Sequence, residues 1–407
     1  MSRTIMKAAD SGSIADLLSL SVLGKYIPLK TVQESLLATG KEGKRERELP
    51  SVLIVYYVIS MCLYMYANQR EVLRLVMEYL RFLSNTGRKH HQGGETEAYK
   101  ITGKSGISQA KKRIGSEPLA ALYYDVVQPI GNNEKDKRGW YGKYRKVSMD
   151  GTVLDVADEQ ENREVFGVPG VSRGVAAFPQ ARLVGVVENG SHVLFGVAQG
   201  GYHDAEVTLA RKVLPYLKAD MLLMADRCFY GYELWNEARA TGAQLLWRVK
   251  SSMLLPAEET LADGSYLSTV YPSPKARRHR LDGVVVRVIK YQLGDDNTTT
   301  YRLITTLLDP TQSPAGELAA LYHERWEFET VLDEFKTHLR GRQIILRSKK
   351  PDLVKQEIYG LLLLHFALRS AMYEAAITND IPPLDISFTH TMHVIQRKLP
   401  QSLTIFP

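Results

Sequence analysis

The stretch Met221-Leu222-Leu223-Met224-Ala225-Asp226 is an apolar segment that ends in a carboxylate. Five apolar residues in a row, bounded by polar residues, predict a strand that is buried on both faces. A carboxylate at the end of such a strand is costly unless it is paired or binds a cation. An ion pair with the neighbouring Arg227 is one explanation, and a functional site is the other. The surrounding segments favour the second.

Strands and helices alternate on both sides of this segment. Between two of the predicted strands, Asn189-Gly190 is a strong hairpin signal. The predicted strands are Val147–Val156, Arg182–Glu188, Ser191–Ala198, Met221–Ala225 and Gln244–Val249, and the predicted helices are one capped by Asp204 and ending near Leu214, and Tyr232–Ala240. This order, in which three strands are followed by a helix, a strand, a second helix and a last strand, is typical of an α/β ribonuclease H-like core. In that core the first strand and Met221–Ala225 are central neighbours, so we expect Asp150 to face Asp226.

A single helix is predicted over Leu321–Leu339, because no Gly or Pro occurs from Glu317 through Arg340. At about 100° per residue, Tyr322, Arg325, Glu329 and Lys336 fall within roughly 60° of one another around its axis. An apolar stripe adjoins this face and comprises Leu321, Phe328, Leu332, Phe335 and Leu339. The face suits a metal ligand flanked by phosphate contacts. A solvated face with an Arg325–Glu329 pair is the alternative for this helix taken alone.

The N-terminal part of the chain is predicted to be helical. Ser108 is expected to cap a helix over Gln109–Ile114, and Pro118 lies in the first turn of a helix that runs to Val127. The first of these helices carries Lys111-Lys112-Arg113. Small helices separated by basic turns fit a DNA-binding module, and a helical bundle with an ordinary polar surface is the alternative.

Five segments follow from these patterns. They are a helical N-terminal DNA-binding domain (1–139), the first part of the core (140–250), a β-rich insertion (251–312), the second part of the core with the catalytic helix (313–378), and a C-terminal tail (379–407). In the insertion, two β-rich runs flank Gly294–Asn297. The ending Ser402–Pro407 is unusual, which leaves a truncated tail open.

Composition narrows the classes of function. The 407 residues carry a net charge of +7, which favours a polyanionic partner without identifying it. The two cysteines, Cys62 and Cys228, lie far apart and fit neither a zinc site nor a disulfide framework. No secretory signal is visible, and tyrosines interrupt the apolar run Val52–Ala67, so a buried helix is expected there rather than a membrane span. Gly103-Lys104-Ser105 resembles a nucleotide-binding loop, but Ala98 stands where its leading glycine belongs, so no nucleotide cofactor is expected.

Three carboxylates then emerge as candidate ligands. Asp150, Asp226 and Glu329 would supply only oxygen donors, which suit a hard cation such as Mg²⁺ or Mn²⁺. Two such ions about 3.5–4 Å apart can activate a nucleophile and stabilise a leaving oxygen in phosphoryl transfer. Taken singly, Asp150 before Gly151 could be a turn residue, but its combination with the other two favours a metal site.

These residues resemble a known family, the bacterial insertion-sequence transposases with an aspartate-aspartate-glutamate (DDE) motif. Tyr322, Arg325, Glu329 and Lys336 match a Tyr-Arg-Glu-Lys subgroup signature with two, three and six intervening residues. Further similar blocks are Asp150-Gly151-Thr152, Asp226-Arg227-Cys228-Phe229-Tyr230-Gly231, Phe178-Pro179-Gln180 and Glu357–Ser370. The resemblance runs from near Ala15 to near Ala375. Cys228 departs from the glycine that the family often has there.

The resemblance implies cut-and-paste DNA transposition. Asp150, Asp226 and Glu329 would hold two Mg²⁺ ions, and the strands would be cut, closed into a hairpin, reopened and joined to target DNA. It also implies phosphate contacts from Tyr322, Arg325 and Lys336, and a flipped base stacked on Trp326, which by sequence alone could instead be buried under the insertion.

The expected partner is double-stranded DNA, both the terminal inverted repeats and the target. The resemblance implies a homodimer in the DNA complex and a location in the bacterial cytoplasm at the nucleoid, without a membrane. Two alternatives remain: a metal-dependent nuclease without strand transfer, and a decayed transposase that only binds DNA.

Overall fold

The chain divides into two compact units. The computed structural model describes residues 22–43, 49–65, 67–85, 103–132, 137–171, 174–292, 300–339 and 345–396. The first unit comprises residues 1–128, 155–165 and 334–407, and the second comprises 129–154 and 166–333. The predicted turn Gly294–Asn297, the first 21 residues and the end of the tail lie outside the described residues.

The first unit is built from helices. Its helices are α1 (Leu29–Ala38), α2 (Ser51–Leu63), α3 (Gln69–Asn85), α4 (Lys104–Ile114), α5 (Glu117–Val126), α6 (Gln160–Phe166, whose last residue belongs to the second unit), α12 (Pro351–Thr378) and α13 (Phe388–Gln396), with a 3-10 turn at Pro383–Asp385. Pro118 lies in the first turn of α5, as predicted. The predicted cap at Ser108 is wrong, because α4 begins four residues earlier, after Gly103, and includes Ser108 in its interior.

The long helix α12 is the core of this unit. By length and composition it is the only helix in the described part of the chain that could cross a membrane, and 72% of its most apolar window is buried. A mostly buried apolar helix is equally typical of a protein core, so the apolar composition has a structural explanation. The buried helix predicted at Val52–Ala67 is α2, which ends at Leu63.

The second unit contains a mixed sheet. Its strands are β1 (Trp140–Tyr141), β2 (Tyr144–Asp155, whose last residue belongs to the first unit), β5 (Gln180–Glu188), β6 (Leu194–Gly201), β7 (Met221–Ala225), β8 (Gln244–Val249), β9 (Glu259–Thr260), β10 (Tyr266–Val270), β11 (Val284–Gln292) and β12 (Thr300–Thr305), and a separate pair is β3 (Gly170–Val171) and β4 (Gly174–Val175). The order is β6-β5-β2-β7-β8-β12-β11-β10-β9, with β1 paired to β2. Strands β2, β7 and β8 are parallel. The prediction of an α/β protein is confirmed at this level.

Strands from the predicted insertion extend this same sheet. β12 pairs antiparallel with β8 and places Arg302 opposite Val249, and β11, β10 and β9 follow outward. A short helix, α9 (Pro274–His279), precedes β11. The β content predicted for 251–312 is therefore present. The division into five domains stays a prediction.

The hairpin between β5 and β6 differs in detail from its prediction. The strands are antiparallel, but five residues join them, and the left-handed residue is His192, with φ of 61°. The prediction that Asp204 caps the following helix is also wrong. Helix α7 (Glu206–Val213) begins after Ala205, and the Asp204 carboxylate instead accepts a hydrogen bond from the Gly201 N–H at 2.7 Å.

The predicted uninterrupted helix over Leu321–Leu339 is wrong. Four segments replace it: α10 (Ala315–His323), a 3-10 turn (Glu324–Trp326), α11 (Glu327–Asp333) and a π-helical turn (Glu334–His338). Helix propensity favours a continuous helix here, so tertiary contacts must impose the irregular turns. The contacts of the 3-10 turn lie at the candidate site, where such turns are frequent.

Candidate active site

Two of the three predicted carboxylates meet at the centre of the sheet. In the parallel pairing of β2 with β7, Met149 lies opposite Ala225. Asp150 and Asp226 each follow one residue later, so they stand side by side on strands about 4.8 Å apart. Because Met149 and Ala225 are buried, the alternation of strand side chains turns both carboxylates toward the other face.

Burial and charge control the ionisation of Asp150. Burial raises the pKa of its carboxyl, and the nearby Asp226 charge raises it further, against the Gly151 N–H and the Arg325 guanidinium, which lower it. Asp150 accepts hydrogen bonds from the Gly151 N–H at 2.8 Å, and Asp226 accepts one from the Arg227 N–H at 2.6 Å. A like-charge pair of this kind favours a bound cation, because a cation offsets both the repulsion and the desolvation.

Helix α10 covers the ends of these strands. Its Leu318, Leu321 and Tyr322 pack into a buried cluster with Leu222 and Met224 of β7. The Tyr322 phenol donates to the Ala225 carbonyl at 3.3 Å, immediately before Asp226, and burial raises its pKa. Tyr322 therefore anchors the helix at the site, with 5% of its surface exposed.

Arg325 is drawn into the site by the first carboxylate. Its Nη1 donates to Asp150 Oδ2 at 2.7 Å, and only 8% of the residue is exposed. Burial lowers its pKa, but the charges of Tyr322, Asp150 and Asp226 outweigh burial and raise the pKa overall. Arg325 thus occupies one carboxylate oxygen with a fixed positive charge, and its partner is Asp150 rather than Glu329, the partner in the alternative interpretation.

The other predicted residues lie elsewhere on this segment. Glu329 is exposed on α11, and Trp326, in the 3-10 turn, is 57% exposed, so the alternative that Trp326 is buried is wrong. Lys336 lies half-buried in the π-helical turn of the first unit. Over the described ranges, no group of three or more His, Cys, Asp or Glu side chains is placed to hold a metal ion. Asp150 and Asp226 are therefore brought together, whereas Glu329 is not gathered with them.

The donor chemistry of the pair fits a hard divalent cation. Both side chains offer carboxylate oxygens, and no thiol or imidazole belongs to the pair. Burial is the largest cause of the raised pKa of Asp150 and the Asp226 charge adds to it, so a bound cation would lower this pKa.

Comparison with known proteins agrees with this geometry. The family described as "Transposase DDE domain" matches residues 141–367, more than half of the chain, including β2, β7 and α11. The chain belongs to the DDE transposases. The family described as "Insertion element 4 transposase N-terminal" matches residues 17–124, so the transposase belongs to the IS4 family and is an enzyme acting on DNA.

Two bacterial relatives illustrate the match. The transposase is 26% identical over 388 residues to Transposase InsG for insertion sequence element IS4 of Escherichia coli (strain K12), covering 93% of this chain and 83% of that protein. It is 24% identical over 245 residues to InsZ of the same strain, covering 60% of this chain and 74% of that protein.

Three residues that sequence reasoning missed hold the 3-10 turn of the transposase. The buried Lys146 ammonium donates to the Glu324 carboxylate, and Asn189 Nδ2 donates to the Glu324 carbonyl at 3.2 Å. His192 Nε2 lies 2.8 Å from Glu327 Oε2. These contacts hold Glu324 and Glu327, the residues that flank Arg325 and Trp326 in the sequence. No sequence signal identified them, because each is a polar residue that resembles an ordinary turn or surface residue.

Proposed function

We propose that this transposase moves an insertion sequence by cut-and-paste transposition through a DNA hairpin. One observation carries the proposal: Asp150 of β2 lies beside Asp226, which directly follows β7, close enough for the Asp226 charge to raise the pKa of Asp150. The proposed active site comprises these two carboxylates and Glu329. The Tyr-Arg-Glu-Lys spacing supports placing the enzyme in the hairpin-forming subgroup.

The topology supports a ribonuclease H-like core. β2, β5 and β6 precede α7, and β7 and β8 are separated by α8 (Tyr232–Ala240). β2 and β7 are parallel neighbours at the centre of their sheet, which is the arrangement that such a core requires. The helices before residue 128 support a helical N-terminal domain for DNA binding.

The carboxylates and Arg325 carry opposite charges and have different proposed roles. Asp150, Asp226 and Glu329 would hold two Mg²⁺ ions, or Mn²⁺ in their place, which supply activation of the attacking hydroxyl and stabilisation of the leaving oxygen. Arg325 lowers the pKa of Asp150 and holds its carboxylate in place. Tyr322 fixes α10 to the end of β7.

The proposed reaction is a series of phosphoryl transfers. Water cuts one strand and leaves a 3′-hydroxyl at the transposon end. That hydroxyl attacks the opposite strand and releases the flanking DNA, a second water reopens the hairpin, and the same hydroxyl attacks target DNA.

Exposed groups near the 3-10 turn are suited to DNA. The exposed indole of Trp326 can stack an unpaired base of the hairpin, a contact worth about 1–3 kcal/mol. Phosphate contacts near the cut are proposed for Tyr322, Arg325 and Lys336, none of which is exposed in the absence of DNA. A homodimer that pairs two transposon ends at the nucleoid completes the proposal.

Replacement of Asp226 by Asn tests the proposal. On a duplex carrying the terminal sequence of the element, with Mg²⁺, loss of a metal ligand should slow cleavage by about 10³-fold or more, because several kcal/mol of charge stabilisation is removed. Binding of the duplex should remain. Asp125→Asn is the matched control, since Asp125 is exposed on α5.

The products distinguish the alternatives. Insertion of the cut end into target DNA, through a hairpin intermediate, supports a transposase, whereas cleavage without joining supports a nuclease. Unchanged cleavage in the Asp226→Asn variant, or no cleavage by the wild type, would show that the proposed active site is wrong.

A further inference from the structure

A cationic cavity in the first unit is separate from the aspartate pair. It has a volume of about 480 Å³ and lies among α2, α4 and the start of α12. Its apolar lining comprises Tyr57, Met61, Met65, Ile107 and Leu353, and its cationic lining comprises Lys104, Lys111, Lys112, Arg347, Lys349 and Lys350. Among the described lining residues the only carboxylate belongs to Glu357. The cavity therefore has an apolar floor and a strong excess of positive charge.

Hydrogen bonds build one wall of the cavity. Glu357 accepts from the Ser348 hydroxyl at 2.8 Å and from the Ser348 N–H at 3.3 Å, and the Arg347 guanidinium donates to the Met65 carbonyl. The Glu357 carboxylate is thus used within the protein. It is held in place by the segment that carries Lys349 and Lys350.

The remaining cations differ in how they are neutralised. Lys349 and Lys350 form ion pairs with Glu159 and Glu161. In contrast, Lys104, Lys111 and Lys112 have no carboxylate partner among the residues that the structure describes. Three uncompensated ammonium groups on one helix face the same cavity, which is an arrangement that a polyanion would stabilise.

Helix electrostatics alone does not explain this arrangement. Lys111 and Lys112 lie in the last turn of α4, where a cation is favourable, and Arg113 in the same turn already donates to the Leu49 carbonyl at 2.5 Å. Lys104 is the first residue of α4, where the helix dipole opposes a cation. Cations at both ends of one helix share the cavity, so their common feature is the cavity and not the dipole.

We propose that this cavity binds the phosphodiester backbone of duplex DNA. Lys104, Lys111 and Lys112 contact phosphate oxygens, and the apolar floor contacts the carbon atoms of the deoxyribose. The assignment rests on the proposed function, because it takes the transposase's own DNA as the polyanion. It places a backbone contact on α4 and on the residues that precede α12.

The test compares two double variants of the full chain. Lys111→Ala/Lys112→Ala removes two cavity cations, and Lys30→Ala/Lys355→Ala removes two exposed lysines of the same unit that lie outside the cavity. Binding to a fluorescein-labelled duplex is measured by anisotropy over a series of salt concentrations. Each lost phosphate contact should lower the slope of log affinity against log salt by about 0.9, so the cavity variant should lose about 2 from the slope and the control variant close to none.

The outcomes separate this inference from the proposed function. Equal slopes for the two variants, with a wild type that binds and cuts DNA, overturn the cavity assignment alone. A wild type that does not bind DNA overturns both. If the cavity variant loses affinity for inorganic phosphate but keeps the wild-type DNA slope, the site takes a small anion and the assignment is also wrong. Matching urea unfolding curves exclude misfolding as the cause of a lower slope.

Discussion

Arg369→Met should strongly destabilise the first unit. Glu334 opens the π-helical turn and is 5% exposed, and Arg369 of α12 is 3% exposed. Arg369 Nε donates to Glu334 Oε2 at 2.9 Å, a second bond joins Arg369 Nη2 to Glu334 Oε1, and His365 Nε2 lies 3.3 Å from Glu334 Oε2. Without the guanidinium, the carboxylate stays buried and loses both of these charged hydrogen bonds.

The expected loss can be worked from this geometry. Two unit charges about 4 Å apart at an effective dielectric constant of about 20 attract by about 4 kcal/mol. This agrees with the cost of about 3–5 kcal/mol for removing one member of a buried ion pair. Replacing both members by apolar residues should recover most of the loss, because no charge is then left unpaired.

Urea unfolding followed by circular dichroism measures both effects. The free energy of unfolding should fall by about 3–5 kcal/mol in Arg369→Met and should return to within about 1 kcal/mol of the wild type in Glu334→Met/Arg369→Met. A single variant that loses less than about 1 kcal/mol, or a double variant no more stable than the single one, would refute the reasoning.

Three further predictions concern the candidate site. Trp326→Ala should leave the rate of the first nick nearly unchanged and slow the hairpin steps by about tenfold, because about 1–3 kcal/mol of stacking is lost. A denaturing gel resolves the products of the two steps. Equal slowing of both steps would contradict the stacking role. Arg325→Ala should raise the pKa of Asp150 further, since the guanidinium lowers it. The carboxyl titration followed by NMR without DNA should therefore move to higher pH than in the wild type. On acidification, the variant should also lose metal binding at a higher pH than the wild type. His192→Asn, which tolerates the left-handed backbone, removes the hydrogen bond that chiefly lowers the pKa of Glu327. Because that pKa is depressed in the fold, its stabilisation is present above the ordinary glutamate pKa and lost as pH falls through the lowered value. The variant should therefore lose about 1 kcal/mol at neutral pH, discounted for the partial exposure of Glu327, and less in acid, as measured by urea unfolding across pH.

Local hydrophobic patterns were sufficient to predict the boundaries of several elements of the central sheet. The boundaries of Met221–Ala225, Gln244–Val249 and Tyr232–Ala240 are the same in sequence and structure, because their hydrophobic period is unambiguous. The adjacency of Asp150 and Asp226 also followed from element order. The error at Asp204 concerns a helix cap, where one or two residues of backbone geometry decide the outcome and composition does not. The error at Ser108 is larger, because α4 already begins at Lys104.

What the sequence determined by itself is the chemistry of the chain: its aspartates on central strands, the spacing of its helix signature and its membership in a transposase family. Tertiary structure alone decided how the signature segment is shaped. Local propensity predicted one helix. Hydrogen bonds from Lys146, Asn189 and His192 to Glu324 and Glu327 instead stabilise a 3-10 turn at Arg325. The Arg325 side chain then points inward to Asp150. These partners are far apart in the sequence, and the energy of burying and pairing charge exceeds the few tenths of a kcal/mol per residue that helix propensity contributes.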